Sequence, residues 1–522
     1  MSENTKKPNK AGALATSAIG LMGVTFISKI LGFARDMVLA SSYGAGVVSD
    51  SYLMALNIPT IVFVMISTAL ATSFIPMFTE IEKSKSREDA LKFTSNVITL
   101  VALVSIVIMV FGVIFTEPLV KMFAIGFEGE RLRLTTQFTR LFMLGIGCVG
   151  ITYIVKSYLE INNRFVVTGL MPLPYNTLIL ISIVLSVKYG TKTLAVGTFI
   201  ALISQLLVQL PFAFKEGFRY KPTLNLKDEN LKRMATLIAP IILGASVTQL
   251  NTLIDRNLAS TLAEGSLSAM NYAYKLNIFV TGLFIASITS VVYPLFARLT
   301  SENNIEKLKD SVATSINSVL LIIMPVSIGA LVLAEPIVTV LFERGEFKHE
   351  DTLVTAGVLA CYAVGMLAIG IRDILVRVFY SLKDTKTPML NSVLCVASNI
   401  VLNIALIKYL GVAGLALGSS LSAVIAVVFL SISLRRKIGR FNESVIVSTF
   451  IKTGISGAAM AFAVIASHNA LLPISQTVAL FASIVVGAFI YGVMVLVLKV
   501  DACKSILDMI KQKINRKNKQ TI

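Results

Sequence analysis

Apolar runs of twenty or more residues recur along almost the whole of this 522-residue chain. Each run is long enough to cross roughly 30 Å of hydrocarbon as a helix that rises about 1.5 Å per residue. The mean hydropathy of +0.80 is well above that of a soluble globular domain. Runs such as residues 97–115 show no alternation of apolar and polar side chains, so the pattern predicts helices rather than strands.

Charged residues and Gly, Pro and Asn clusters divide these runs into separate spans. The sequence therefore predicts an all-α polytopic membrane protein with about fourteen transmembrane helices. The predicted spans lie near residues 11–40, 51–79, 91–116, 134–161, 166–187, 193–214, 234–263, 267–297, 311–341, 352–381, 387–408, 411–434, 445–467 and 473–498.

The positive charge of the chain indicates its orientation in the membrane. The net charge is +18, and with the N-terminus inside, about 30 Lys and Arg residues fall in inside segments and about 8 in outside loops. The basic clusters are short and lack interleaved aromatic residues, so we expect no nucleic-acid partner. The distribution predicts a protein of the bacterial cytoplasmic membrane with both termini in the cytoplasm.

The first twelve predicted spans form an internal repeat. The segment TEPLV at residues 116–120, at the end of the third span, recurs as AEPIV at 334–338, at the end of the ninth. An offset of six spans keeps both copies in the same orientation, which predicts two pseudo-symmetric six-helix lobes facing each other across a central cavity. The predicted parts are an N-lobe 1–214, a cytoplasmic linker 215–233, a C-lobe 234–436, two further helices within 437–500 and a basic cytoplasmic tail 501–522.

Ionisable side chains inside the spans are the strongest indication of function, because each costs about 2.5–3.5 kcal/mol at mid-bilayer unless it faces a cavity or a partner. Cations outnumber anions among them, which favours an anionic substrate such as a pyrophosphate. Structural alternatives are a pair between Lys29 and Asp36, a pair between Asp373 and Arg377, and snorkelling to the headgroups. The predicted anion-binding residues are Lys29, Arg35, Arg256, Lys275 and Arg372.

A second group of polar residues combines a carboxylate with amides. Asn399 and Asn403 are four residues apart and share a helix face, Asp255 lies in the seventh span, and Ser419 begins the twelfth. Oxygen ligands of this kind suit a hard cation, so one hypothesis is a sodium site. The alternative is an interhelical hydrogen-bond network that only holds the helices together.

Motifs of covalent catalysis are missing from the sequence. It contains no nucleophile elbow, HExxH or P-loop, and both histidines, His349 and His468, fall in predicted outside loops. The four cysteines have no metal-binding spacing. We therefore expect a transporter that is not driven by ATP and uses no cofactor, apart from a coupling Na⁺ or H⁺.

Several motifs of the chain resemble those of one family. These are SKILGFARD at residues 28–36, YGAG at 43–46 with Asp50, NRF at 163–165 and KDTKTP at 383–388. They resemble the motifs of the MurJ (MviN) lipid II flippases, which belong to the multidrug/oligosaccharidyl-lipid/polysaccharide exporter superfamily. The resemblance extends over essentially the whole chain.

This resemblance implies a fourteen-helix, two-lobed fold with a V-shaped cavity that works by alternating access. The implied substrate is lipid II, the undecaprenyl-pyrophosphate-linked peptidoglycan precursor, and the last two helices would hold its lipid tail. Arg35 and Asp50 match the family's functional Arg and Asp. The chain departs from many members at Thr60, where they have arginines nearby, and at Tyr274 and Lys275, where they have Asp-Arg.

Other functions remain open at this level. Within transporters, the alternatives are a flippase for another prenyl-linked saccharide, a sporulation-type paralogue or a cation-coupled multidrug antiporter. A membrane-embedded transferase would need an acid/base pair that the sequence does not show. A scaffold for the cell-wall synthesis machinery, docked at the basic tail from Lys499, is a further expected role.

Overall fold

The computed structural model describes residues 10–500, except for the side chains of residues 10–19, 22, 62–65, 239–240, 243–245 and 247–248. Within this range the chain forms helices and no strands, which confirms the predicted all-α fold. The helices are α1 (Lys10–Tyr43), α2 (Val47–Ser84), α3 (Arg87–Ile114), α4 (Thr116–Phe123), α5 (Gly129–Ile161), α6 (Phe165–Leu170), α7 (Pro172–Tyr189), α8 (Thr191–Lys215), α9 (Glu229–Ser260), α10 (Ser266–Ser301), α11 (Ile305–Val332), α12 (Ala334–Phe342), α13 (His349–Ser381), α14 (Lys386–Ile438), α15 (Glu443–Leu471) and α16 (Gln476–Val497).

Eleven helical segments of the described chain are long and apolar enough to cross a membrane, with α6 and α7 counted as one. α14 has 53 residues and is interrupted at Gly411, where φ is 53° and ψ is −132°, so it contains both the eleventh and the twelfth predicted spans. α1 and α9 coincide with the first and seventh predicted spans but are not among the eleven. The exact number of fourteen therefore stays a prediction.

The internal repeat appears in the way that two equivalent helices end. α5 and α13 each have 33 residues. Beyond each end, Asn163 and Lys383 have positive φ values of 59° and 58°. The amide that follows donates to the carbonyl oxygen five residues back, at 2.8 Å in the first copy and 2.9 Å in the second. Both helices thus end in a Schellman motif, which satisfies their last carbonyl groups.

The repeated Glu-Pro motif differs from our expectation. It was predicted to end the third and ninth spans, but it begins the separate short helices α4 and α12. The chain turns at Phe115 (φ −98°, ψ 26°) and at Leu333 (φ −99°, ψ 19°), just before each motif. Proline is tolerated there because the amides of a first helical turn have no partner within the helix.

The described chain divides into two compact units. The first helical unit extends to Gly265 and includes Arg344–Phe347, and the second helical unit contains Ser266–Glu343 and the chain from Lys348 onward. α9 therefore belongs to the first helical unit by its contacts, whereas the sequence assigned the seventh span to the C-lobe. The predicted boundaries of lobes, linker and tail stay predictions, and the tail 501–522 lies outside the described residues.

Each unit has its own apolar core. Phe74, Phe78 and Tyr158 lie at the centre of the first, and Phe296 and Phe379 at the centre of the second. The last two helices add a smaller apolar cluster on α11 and α12 of the second unit. Among the described residues, the first helical unit contains α1 to α9 and the second contains α10 to α16, including this last pair.

Candidate substrate and ion sites

Arg35 in α1 is held by polar groups of α1 and α7. Its Nε and Nη2 donate to Oδ1 of Asp36 at 3.0 and 2.6 Å, and its Nη1 donates to Oδ1 of Asn176 at 3.1 Å. The long side chain of Arg35 thus bends back to the adjacent carboxylate, a pair that the sequence did not predict, and the assignment of Arg35 to an anion site stays a prediction. Three of the five N–H donors of Arg35 are engaged in these bonds, and two are left for a ligand.

Lys29, six residues earlier in α1, has different surroundings. Its side chain is exposed, and it forms no ion pair or hydrogen bond with any residue that the structure describes. The proposed pair between Lys29 and Asp36 is therefore not formed, since the carboxylate of Asp36 binds Arg35. The ammonium group of Lys29 is a charge on α1 that a substrate anion could bind.

Asp50 in the first turn of α2 is completely buried. Its Oδ2 accepts a hydrogen bond from the amide of Gly265 at 2.8 Å, in the turn that follows α9. Gly265 has a φ of +84°, and a Cβ there would overlap the carbonyl oxygen of Ala45, so only glycine fits. The carboxylate of Asp50 thus fixes the turn after α9 to the start of α2, which is a positioning contact rather than an open binding site.

Arg256 and Lys275 lie on different helices and in different units. Arg256 is partly buried on α9 of the first helical unit, and Lys275 is partly buried on α10 of the second. Their assignment to an anion site stays a prediction.

Arg372 on α13 has an acidic neighbour in the chain. Its Nη2 lies 3.7 Å from Oδ1 of Asp373. The guanidinium carbon of Arg377 lies 5.5 Å from the ring centre of Tyr293, a cation–π contact. Asp373 therefore pairs with Arg372, and the alternative pair with Arg377 is not formed.

The amides predicted for a cation site come together in the second helical unit. Nδ2 of Asn403 donates to Oδ1 of Asn399 at 3.0 Å, and Nδ2 of Asn399 donates to Oγ of Ser419 at 3.1 Å. A Cβ at Gly418 would overlap Oδ1 of Asn403, so glycine makes room for this amide. These bonds are those of the structural alternative, and sodium binding stays a prediction.

Asp255, the fourth residue of the predicted sodium site, lies on α9 of the first helical unit. Its Oδ2 accepts a long hydrogen bond of 3.4 Å from Nδ2 of Asn251, one turn earlier on the same helix. This spacing is the usual one for side chains that meet on a helix face. The participation of Asp255 in an ion site stays a prediction.

A cavity of about 220 Å³ lies among α2, α5, α7 and α8 of the first helical unit. Sequence reasoning missed it, because single uncharged polar residues inside apolar spans are common and no motif joins them. Its polar lining residues are Thr60, Ser67, Tyr153, Tyr175 and Gln205.

A larger groove of about 460 Å³ lies among α11, α13, α14 and α15 of the second helical unit. Leu331, Val364, Val428 and Phe450 line it. Among the described residues on its wall, Ser327 alone carries a hydroxyl group, and this group donates to a backbone carbonyl oxygen. The groove is therefore apolar, and an alkyl or prenyl chain suits it.

Comparisons with known proteins agree with this geometry. The profile of the family described as "Lipid II flippase MurJ" matches residues 39–497. A protein of Vibrio cholerae described as a "Probable lipid II flippase MurJ" is 30% identical over 434 residues, covering 78% of this chain and 81% of that protein. A solved structure, "Lipid II flippase MurJ, inward closed conformation", has a TM-score of 0.80 at 26% identity and covers 92% of this chain and 99% of that one.

A more distant likeness concerns the fold alone. An inward-facing multidrug resistance transporter of the MATE family and MOP superfamily has a TM-score of 0.65 at 16% identity, covering 82% of this chain and 99% of its own. At this identity only the helical architecture is shared.

Proposed function

The chain belongs to the lipid II flippase MurJ family, and we propose that it moves lipid II from the inner to the outer leaflet of the cytoplasmic membrane. Eleven apolar helices of the described chain make it a multi-pass membrane protein of this kind. The observation that carries the proposal is the family match, which covers all predicted spans except most of the first. In this proposal the chain forms no covalent intermediate, binds no nucleic acid, and has both termini in the cytoplasm.

The pyrophosphate of the substrate binds to basic side chains, with Arg35 as the most ordered of them. Asp36 and Asn176 hold the guanidinium group in one orientation and leave two N–H donors. Charge-assisted hydrogen bonds to phosphate oxygens are about twice as strong as neutral ones. The exposed ammonium group of Lys29 adds a second charge on the same helix. Arg256, Lys275 and Arg372 complete the proposed anion-binding set.

The prenyl chain of the substrate stays in apolar surroundings while the headgroup crosses. Each CH₂ group moved from lipid to water costs about 0.8 kcal/mol, so a long chain does not enter a wet cavity. The apolar groove beside Phe450 offers a surface of this kind, and one of its walls belongs to α15. This supports a role for the thirteenth predicted span in holding the tail, and a role for the fourteenth rests on the resemblance alone.

Alternating access requires contacts that form in one state and break in the other. The bond between Asp50 and the amide of Gly265 is a candidate, since it fixes two turns that the predicted topology places outside. The driving force is the membrane potential, worth about 2.3 kcal/mol per charge per 100 mV, or a gradient of Na⁺ or H⁺. A sodium ion at Asp255, Asn399, Asn403 and Ser419 would bias the two states by its differential affinity.

Membrane lipids surround the apolar helices, and the cell-wall synthesis machinery is a proposed partner. The docking segment in this proposal is the basic tail that begins at Lys499. Residues 501–522 of this tail lie outside the described part of the chain. Deleting them while assaying flipping separately from growth distinguishes a docking role from a role in transport.

The test is complementation of a flippase-depleted strain by charge-reversed variants. Arg35→Glu and Arg256→Glu should abolish growth while the protein is still expressed and inserted, because a carboxylate repels the pyrophosphate. Arg133→Glu is the matched control, since the side chain of Arg133 is 65% exposed and its one ion pair within the described chain is with Glu130. Normal growth with both test variants would refute the anion-binding assignment.

A further inference from the structure

The cavity of the first helical unit has the size of a site for one small chemical group. Its volume of about 220 Å³ is below the roughly 300–1,000 Å³ of pockets that take a whole ligand. It is much larger than the roughly 30 Å³ that one water molecule occupies. It lies beside Pro59, inside α2.

Several polar side chains on the cavity wall lack partners within the described part of the chain. The hydroxyl oxygen of Ser67 is buried, with 1% of the residue exposed, and has no hydrogen-bond partner there. The side chains of Tyr153, Tyr175 and Gln205 also make no hydrogen bond with any described residue. A buried polar group without a partner costs about 1–3 kcal/mol, so this wall is suited to a ligand that supplies donors and acceptors.

The rest of the wall excludes a charged ligand. Phe142, Ile146 and Leu202 supply apolar surface, and none of the described residues that line the cavity is charged. Lys156 lies behind the wall, with its Nζ 5.7 Å from the ring centre of Tyr153 and 3.8 Å from the carboxylate of Glu160. An unpaired charge would be costly in such a site. The suitable ligand is uncharged, with apolar C–H faces and hydroxyl or amide edges.

The cavity adjoins the ordered arginine of the same unit. Tyr175, on its wall, directly precedes Asn176 in α7, and Oδ1 of Asn176 accepts the hydrogen bond from Nη1 of Arg35. A group that binds in the cavity would therefore lie close to a pyrophosphate bound by Arg35. In a prenyl-pyrophosphate-linked saccharide, the sugar is bonded directly to the pyrophosphate.

From this juxtaposition we propose that the cavity among α2, α5, α7 and α8 binds one uncharged sugar residue of the headgroup. The inference rests on the proposed function and adds a saccharide subsite to it. Ser67, Tyr153, Tyr175 and Gln205 supply hydrogen bonds to the hydroxyl and acetamido groups, and the apolar wall contacts the C–H face of the ring.

The test compares two lipids that differ in the sugar. Binding of undecaprenyl-pyrophosphate carrying the disaccharide-pentapeptide and of undecaprenyl pyrophosphate alone is measured for the purified full-length protein by native mass spectrometry. Tyr175→Phe and Gln205→Leu should each weaken binding of the sugar-bearing lipid about three- to tenfold, the effect of one lost hydrogen bond. Neither should change binding of the sugar-free lipid, whereas Arg35→Ala should weaken both.

Tyr189→Phe is the matched control, since Tyr189 is on the same helix, is 65% exposed and lies outside the cavity. It should change neither affinity. The subsite is overturned if Tyr175→Phe and Gln205→Leu leave both affinities unchanged or weaken both lipids equally. If the unmodified protein binds neither lipid, the proposed function itself fails, which is a distinguishable result.

Discussion

Each helical unit has an ion pair at equivalent helix ends of the repeat, but the acidic and the basic residue are exchanged between the two units. In the first unit, Nε of Arg164 lies 2.7 Å from the carboxylate of Glu216, just beyond the end of α8. In the second, the carboxylate of Asp384 lies 2.6 Å from Nζ of Lys437, near the end of α14. Arg164 and Asp384 occupy the same position of the Schellman motif after α5 and α13. The repeat has thus retained a bridge between two helix ends while the charges were exchanged.

The interiors of the two units differ more than their helix ends. The cavity of the first unit has hydroxyl and amide groups on its wall, whereas the groove of the second is almost entirely apolar. The cavity and the groove therefore present two surfaces that suit the two parts of an amphipathic substrate. In the proposed function, the headgroup binds to the first unit and the prenyl chain to the second.

The largest effect is expected from filling the apolar groove. Val428 lines it and is 52% exposed, so Val428→Trp should occupy the space of the prenyl chain and reduce flipping of lipid II at least tenfold. Val447→Trp is the control, because Val447 is similarly exposed, at 55%, but does not line the groove. The measurement is flipping in proteoliposomes, and equal rates for the two variants would show that the groove does not hold the chain.

Substitution of one tightly packed glycine in each unit tests whether the second unit alone binds sodium. A Cβ at Gly418 would overlap Asn403, and a Cβ at Gly197 in the first unit would overlap Ser182. Gly418→Ala and Gly197→Ala should each destabilise the protein by about 1–3 kcal/mol through overpacking. Only Gly418→Ala should also remove a sodium-dependent rise in melting temperature, which ligand linkage predicts for the unmodified protein. If Gly418→Ala retains the sodium effect, the amides are only a structural network.

The contribution of the ion pair in the second unit can be tested by exchanging its acidic and basic residues. Asp384→Lys should place two cations side by side at the end of α14, and the added change Lys437→Asp should restore the bridge. Because the pair is near the surface, we expect a coupling of about 1 kcal/mol or less in a double-mutant cycle. Thermal unfolding of the two single variants and the double variant measures it. Strict additivity would show that the bridge contributes nothing.

The pH dependence of this bridge is the smallest expected effect. Hydrogen bonds from Lys437 and Thr387 lower the pKa of Asp384 from 3.8 to about 2. Because the pKa of Asp384 is lower in the folded state than in the unfolded state, its ionised form stabilises the folded protein at pH values above about 3.8. This contribution is lost as the pH falls from about 3.8 to about 2. Lys437→Met should therefore reduce the change in melting temperature between pH 3.8 and pH 2. The same pH dependence of the melting temperature in the variant and in the unmodified protein would show that Lys437 does not stabilise the Asp384 carboxylate.

The helices could be predicted from sequence because long apolar runs leave the backbone no alternative in a membrane. Even the break at Gly411 was predicted, as the boundary between two spans. The pair between Arg35 and Asp36 was not predicted. Helix geometry places adjacent residues on different faces, and this rule does not account for a long side chain that bends back. The cavity was missed since its wall comes from four helices, and their relative positions cannot be read from one sequence.

The most direct test of this account is flipping of lipid II by the purified protein in proteoliposomes. The rate at which the headgroup becomes accessible from the opposite side is measured with the unmodified protein, with Arg35→Glu and with empty liposomes. We predict a protein-dependent rate that falls to that of empty liposomes in the variant. A rate for the unmodified protein equal to that of empty liposomes, in protein shown to be folded, would contradict the proposed function.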